Sequence, residues 1–155
     1  MGKEKFNVAI MHGHSNDYKA VKELIVNEGY TPMILMEDFH GDIILKKLRK
    51  SVWKKAHCAV IVMSPDDEMK DAEMRARQNV VFELGYCMGA FDSIPSDYWY
   101  SAVIILKEES VKTFADIEGI EYIGYKNKIG KQVLDRLGKA LAVTREKAKE
   151  YYDDL

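Results

Sequence analysis

The sequence predicts an α/β fold of three layers: one five-stranded parallel sheet with helices on both faces. Three observations carry this. Five short apolar runs recur, at residues 7–11, 32–36, 58–63, 102–106 and 121–125, with charged segments of helical period between them. The third run, Cys58-Ala59-Val60-Ile61-Val62-Met63, is unbroken rather than alternating, as a strand buried on both faces requires. And 155 residues at 47% hydrophobic content supply a single core, so one domain over 1–155 is expected.

The elements follow in order. The first strand ends at His12-Gly13-His14-Ser15. A helix over 17–28 lines up Tyr18, Val21 and Ile25 on one side, and Gly29 closes it. After the second run, a helix over 42–55 carries the stripe Ile44, Leu48 and Val52. The central run at 58–63 leads into a long polar stretch, 64–78, and loops of that length in such folds have a function or are mobile. A third helix, 79–91, points Val80, Val81, Leu84 and Met88 inward. Tyr98-Trp99-Tyr100 precede the fourth run and read as the cap of a sheet edge or part of a subunit contact rather than a base-stacking platform. The last helix, 130–151, ends in a Lys/Glu-rich tail expected to fray.

Composition excludes several classes of function. Lys+Arg at 23 against Asp+Glu at 25 leaves a formal charge of -2, so no basic field is available for a nucleic acid. Cys58 and Cys87 sit inside apolar runs, as reduced, buried thiols of a cytoplasmic protein do. No run approaches the roughly 20 apolar residues that span a bilayer, and no signal peptide is read. Gly-x-Gly-x-x-Gly and Walker signatures are absent, which argues against a dehydrogenase or a P-loop ATPase.

In an open parallel sheet, ligands bind beyond the carboxyl ends of the strands, where strand order reverses. The candidate loops are 12–16, 37–41, 64–79 and 107–113. The most informative segment is Arg75-Ala-Arg77-Gln78-Asn79-Val-Val-Phe-Glu83-Leu-Gly85-Tyr86-Cys-Met-Gly89. Helical spacing puts Asn79, Glu83, Tyr86 and Ala90 on a stripe beside the core, with Glu83 the one acid of a largely apolar helix. Either Asn79 caps the helix and Glu83 answers its dipole, or Glu83 faces a site. Gly85 and Gly89 each cost about 1 kcal/mol against alanine, which implies a close approach to the backbone by a ligand or a strand. Arg75 and Arg77 either grip a pyrophosphate or pair with Asp66, Asp67, Glu68, Asp71 and Glu73 around them. His12 and His14 suit a ribose- or phosphate-binding turn. His40 and His57 are the other histidines, and no metal-ligand spacing completes a site, so no metal is expected.

The run RARQNVVFELGYCMG, with AVIVMSPDDE before it, MHGHS at the end of the first strand and Asp116-Ile-Glu-Gly-Ile-Glu-Tyr-Ile-Gly-Tyr125 near the close, resembles the prokaryotic TIR-like predicted nucleotide-binding domain. The likeness spans about residues 6–140, leaving 141–155 as the C-terminal helix end and tail. It implies a flavodoxin-like architecture and binding or cleavage of NAD, with Glu83, in Phe-Glu-Leu-Gly, carried over as the catalytic carboxylate. In the second crossover the family shows Gly-x-Thr-Ile-Ile-Glu-Lys, whereas this chain has Gly41-Asp42-Ile43-Ile44-Leu45-Lys46, without the threonine and glutamate.

The expectation is an NAD glycohydrolase, in a prokaryotic antiviral setting, that needs no cofactor beyond NAD as substrate. Candidate nucleotide contacts are His12, Gly13, His14, Ser15, Ser64, Asp66, Arg75, Arg77 and Asn79. Nicotinamide leaves as a neutral base from a cationic substrate, so one carboxylate suffices where ordinary glycosidases use two. Two alternatives stand beside it: a nucleoside deoxyribosyltransferase-like enzyme, with Asp66 or Asp67 as an acid opposite Glu83, and a non-catalytic nucleotide-sensing or TIR–TIR module. Self-association or a separate sensor protein is the implied means of control. Glu83→Gln should abolish turnover with a nearly unchanged melting temperature.

Overall fold

A computed structural model describes residues 5–35, 43–94, 97–114 and 117–155. The main sheet contains β1 (Asn7–His12), β2 (Thr31–Ile34), β3 (Cys58–Met63), β6 (Val103–Glu108) and β7 (Ile123–Tyr125). Its order is β2-β1-β3-β6-β7 and every pairing is parallel. Numbered within the sheet, that is the doubly wound 2-1-3-4-5 arrangement, whose order reverses between β1 and β3. Every residue of β3 is buried, which explains its unbroken apolar run. Pro32 is tolerated because β2 is an edge strand and needs no second ladder.

The helices are α1 (Tyr18–Asn27), α2 (Ile44–Leu48), α3 (Gln78–Asp92), the short α4 (Trp99–Ala102) and α5 (Lys131–Ala148). Predicted inward residues Val21, Ile25, Leu48, Val52, Val80 and Leu84 are all buried. Four departures have physical causes. The predicted second helix runs as α only to Leu48 and then widens into a π turn, Arg49–Trp53, in which Ser51 Oγ donates to the Lys47 carbonyl at 2.8 Å. The polar stretch 64–78 holds a small antiparallel hairpin, β4 (Asp67–Glu68) with β5 (Met74–Arg75), turning through Ala72 at φ 62°. The fourth run enters the sheet one residue later than expected, because Trp99–Ala102 close as the short α4 behind the buried Tyr98.

The terminal tail does not fray, because two tyrosines outweigh its charges. Tyr151 and Tyr152 pack against Tyr98, and Tyr152 meets the His57 ring edge-on at 4.7 Å. Nδ1 of His57 accepts the Asn7 N–H at 2.8 Å, which leaves Nε2 to donate to Asp154 at 3.3 Å. Tyr98 donates its hydroxyl to the His57 carbonyl at 2.5 Å. Burial is the main reason the imidazole is held below its ordinary value, with Asp154 opposing. This clasp closes the amino-terminal rim of the sheet.

Candidate functional site

The opposite, carboxyl rim collects the predicted site residues. Register aligns His12 with Val62 and Met63 with Lys107, and Glu108 with Tyr125, so the loops after β1, β3, β6 and β7 open on one side. The predicted contact loop 37–41, the second-crossover residues Gly41 and Asp42, and Asp116 lie outside the described residues.

Glu83 lies in the second turn of α3 and is only 8% exposed. Among the described residues its carboxyl group makes no hydrogen bond or ion pair, and burial pushes its pKa up to about 7, against a downward pull from Arg77. It is not a helix-end partner: α3 begins at Gln78 with Arg77 at the cap position and no side-chain cap bond. Asn79, expected as the cap, is instead the second helical residue and exposed, because the helix starts one residue earlier. Tyr86, one turn after Glu83, feels Arg49 of the π turn, so the Glu83 face of α3 looks toward the second crossover.

The two glycines answer differently from expectation. Gly85 and Gly89 are exposed, and a Cβ on either would meet nothing within 4 Å. Neither a strand nor any other described part of the chain approaches there.

Gly13 is the glycine that is required. A Cβ built there would lie 1.7 Å from Oδ2 of Asp66. The Asp66 carboxylate therefore rests on the Gly13 backbone, accepting the His14 N–H at 3.3 Å and the Ser64 hydroxyl at 3.0 Å. Its own N–H donates to the carbonyls of Ser64 and Arg75, which ties it to β5. The other loop residues also have partners: the His12 ring stacks on Tyr18 at 3.7 Å and donates to the Gly13 carbonyl, and Ser15 Oγ accepts the Asp17 N–H at 3.1 Å.

The two arginines are separated. Arg77 acts on Glu83, whereas Arg75 pairs with Glu73 at 3.3 Å and Lys112 pairs with the other oxygen of the same carboxylate. Arg75, with Met63, Asp67, Val81, Lys112 and Phe114, lines a cavity of about 260 Å³ on the β6 side of α3. Val81 and Glu83 point about 200° apart on the helix, so this cavity is not Glu83's. Glu83 is not among the residues that line it.

A sequence reading misses Tyr125 and Asp17. The Tyr125 hydroxyl donates to Asp17 at 3.1 Å, and burial raises its pKa, with Asp17, Glu108 and Asp66 adding to the rise. Three carboxylates thus face one phenol at the carboxyl rim. No local signal announces this, since the residues come from four separate segments: just before α1, just after β3, and the ends of β6 and β7.

Comparison with known proteins now adds the family. A family model described as the CAP12/Pycsar effector protein, TIR domain, matches residues 7–127. The chain belongs to that TIR family. It is 28% identical over 134 residues, 79% of this chain and 42% of the other, to the Escherichia coli protein named "Uncharacterized protein YuaY". To "Protein tirC" of Dictyostelium discoideum it is 33% identical over 99 residues, 57% of this chain and 49% of that one. The TIR domain thus spans less than half the length of these curated relatives. Among solved structures, rubredoxin oxygen:oxidoreductase of Desulfovibrio gigas superposes with a TM-score of 0.54 at 12% identity, covering 94% of this chain and 36% of that one. That likeness concerns the fold alone. No helix among the described residues is long and apolar enough to cross a membrane.

Proposed function

We propose that this TIR domain binds NAD and cleaves its nicotinamide–ribose bond, with Glu83 as the catalytic carboxylate and antiviral defence as its setting. The observation that carries the reading is the buried carboxyl of Glu83, without a hydrogen-bond partner among the described residues and poised near neutrality. Structural carboxylates are paired, because an unpaired buried charge is costly.

In the reaction the C1′–N bond breaks, its electron pair returns to the pyridinium ring, and nicotinamide leaves neutral without a proton donor. Water adds to C1′ and loses a proton, giving ADP-ribose, nicotinamide and H⁺. Ionised Glu83 stabilises the oxocarbenium charge or accepts from a ribose hydroxyl, an electrostatic role that peaks in the transition state. Because the anion is required, the rate should rise with pH through about 7, the value to which burial pushes Glu83.

The deoxyribosyltransferase alternative needs a proton donor facing Glu83. Asp66 uses its oxygens as acceptors for Ser64 and His14, and Asp67 belongs to β4 beside the separate cavity, so neither favours that reading. The test is product analysis after incubation with NAD at high protein concentration, with Glu83→Gln alongside. Nicotinamide release by the wild type and none by the variant is expected. Turnover retained in Glu83→Gln overturns the assignment, and a rise in melting temperature with NAD unconsumed favours the sensing module.

A further inference from the structure

We propose that Asp66 is a built-in anion at the β1/β3 switch point, which bars phosphate from the β1–α1 loop and leaves that corner of the crevice to a hydroxyl-bearing, uncharged part of the ligand. In doubly wound sheets the turn after the first strand is where backbone N–H groups meet a ligand's phosphate. Here that place is taken. The His14 N–H is already donated to Asp66 at 3.3 Å, and the carboxylate covers Gly13 so closely that a methyl group there would collide at 1.7 Å.

The surroundings reinforce the exclusion. Asp17 holds the Tyr125 hydroxyl at 3.1 Å, and Asp66 and Glu108 act on the same phenol, so a phosphate entering this corner meets like charge from three segments of the chain. Asp66 is also held in place, through Ser64 Oγ at 3.0 Å and through its N–H to the Arg75 carbonyl at 3.1 Å, so it does not swing away freely. A carboxylate accepts hydrogen bonds from a sugar diol and repels a phosphate. The ligand's pyrophosphate, by elimination, lies toward Arg77.

The inference rests on the reading that this crevice holds a nucleotide, and the experiment separates the two. Inorganic phosphate is titrated into wild type, Asp66→Ser and Asp66→Asn, with melting temperature and calorimetry as readouts. Removing one like charge from the corner should tighten phosphate binding on the order of tenfold or more. Phosphate that stabilises the wild type as strongly as either folded variant overturns the proposal, as does no gain in Asp66→Asn, which keeps the side chain's size if Asp66→Ser fails to fold. In a second arm, adenosine and AMP are titrated into the same proteins: the gain in affinity from wild type to Asp66→Asn should be larger for AMP than for uncharged adenosine, and equal gains overturn the proposal. If neither nucleoside nor nucleotide binds while the variants gain phosphate affinity, the nucleotide reading fails and the barred corner stands. Gly13→Ala should destabilise the wild type but much less the Asp66→Ser background; equal losses in both would show that Asp66 does not occupy that seat.

Discussion

The two rims of one sheet treat their titratable groups in opposite ways. At the amino rim His57 is buried with every ring nitrogen engaged, its carbonyl bound to Tyr98 and its face covered by Tyr152. At the carboxyl rim Glu83 is nearly as buried, yet it has no hydrogen-bond partner among the described residues. The first arrangement stabilises the domain; the second costs stability where the carboxyl is ionised. The contrast teaches that two similarly buried titratable groups can weigh oppositely on stability, according to whether hydrogen bonds answer their polar atoms.

The largest effect should come from breaking the clasp. Tyr98→Ala removes a fully buried aromatic ring and the hydroxyl that holds the His57 carbonyl, and is expected to cost about 3–5 kcal/mol in chemical denaturation. A loss under about 1 kcal/mol would mean that the amino rim is not the anchor described here.

Next comes Glu83→Gln, and here the structure revises the expectation of an unchanged melting temperature. The carboxyl binds its proton more tightly folded than unfolded, so the fold is penalised as pH rises from 4.5 to about 7, and the penalty is full above that. Glutamine should therefore stabilise the domain on the order of 3 kcal/mol at pH 8 and hardly at all near pH 4.5. Denaturant midpoints at the two pH values check it.

His57 gives the opposite slope. Its folded pKa lies below 6.5, so its contribution is present above that value and is lost as pH falls through the folded pKa. Protonation puts a hydrogen on Nδ1, where the Asn7 N–H already points. His57→Ala is expected to cost about 1–3 kcal/mol at pH 8, with less loss in acid. In Glu83→Gln the remaining stability should rise with pH; a curve that still falls would place the acid limb elsewhere.

The smallest effect is at Gly85, where a Cβ meets open space. Gly85→Ala should stabilise α3 by about 0.5–1 kcal/mol and leave the KM for NAD unchanged. A raised KM would show that a ligand approaches this backbone after all.

How much of this was legible depends on range. The unbroken run at 58–63 is matched residue for residue by β3, because burial on both faces leaves no polar position to blur its ends. The hairpin at 67–75 escaped, since two-residue strands of Asp, Glu, Met and Arg carry no alternation. Glu83 was marked as the odd acid on an apolar helix, but its pKa depends on packing that a stripe does not contain. The seat of Asp66 on Gly13 joins residues 53 positions apart, beyond any local pattern. The lysines and glutamates of the tail point to fraying, whereas the ring contacts of Tyr151 and Tyr152 with Tyr98, which bring together distant residues, hold it in place.

That tail has a practical consequence for engineering. Asn7 and Asp154 touch the same imidazole from opposite sides, so the start of β1 and the segment after α5 meet at the amino rim, opposite the loops that carry His14 and Asp66. A spectroscopic label placed beside Asn7 or on Asp154 would therefore report on the clasp without entering the loops at the other rim.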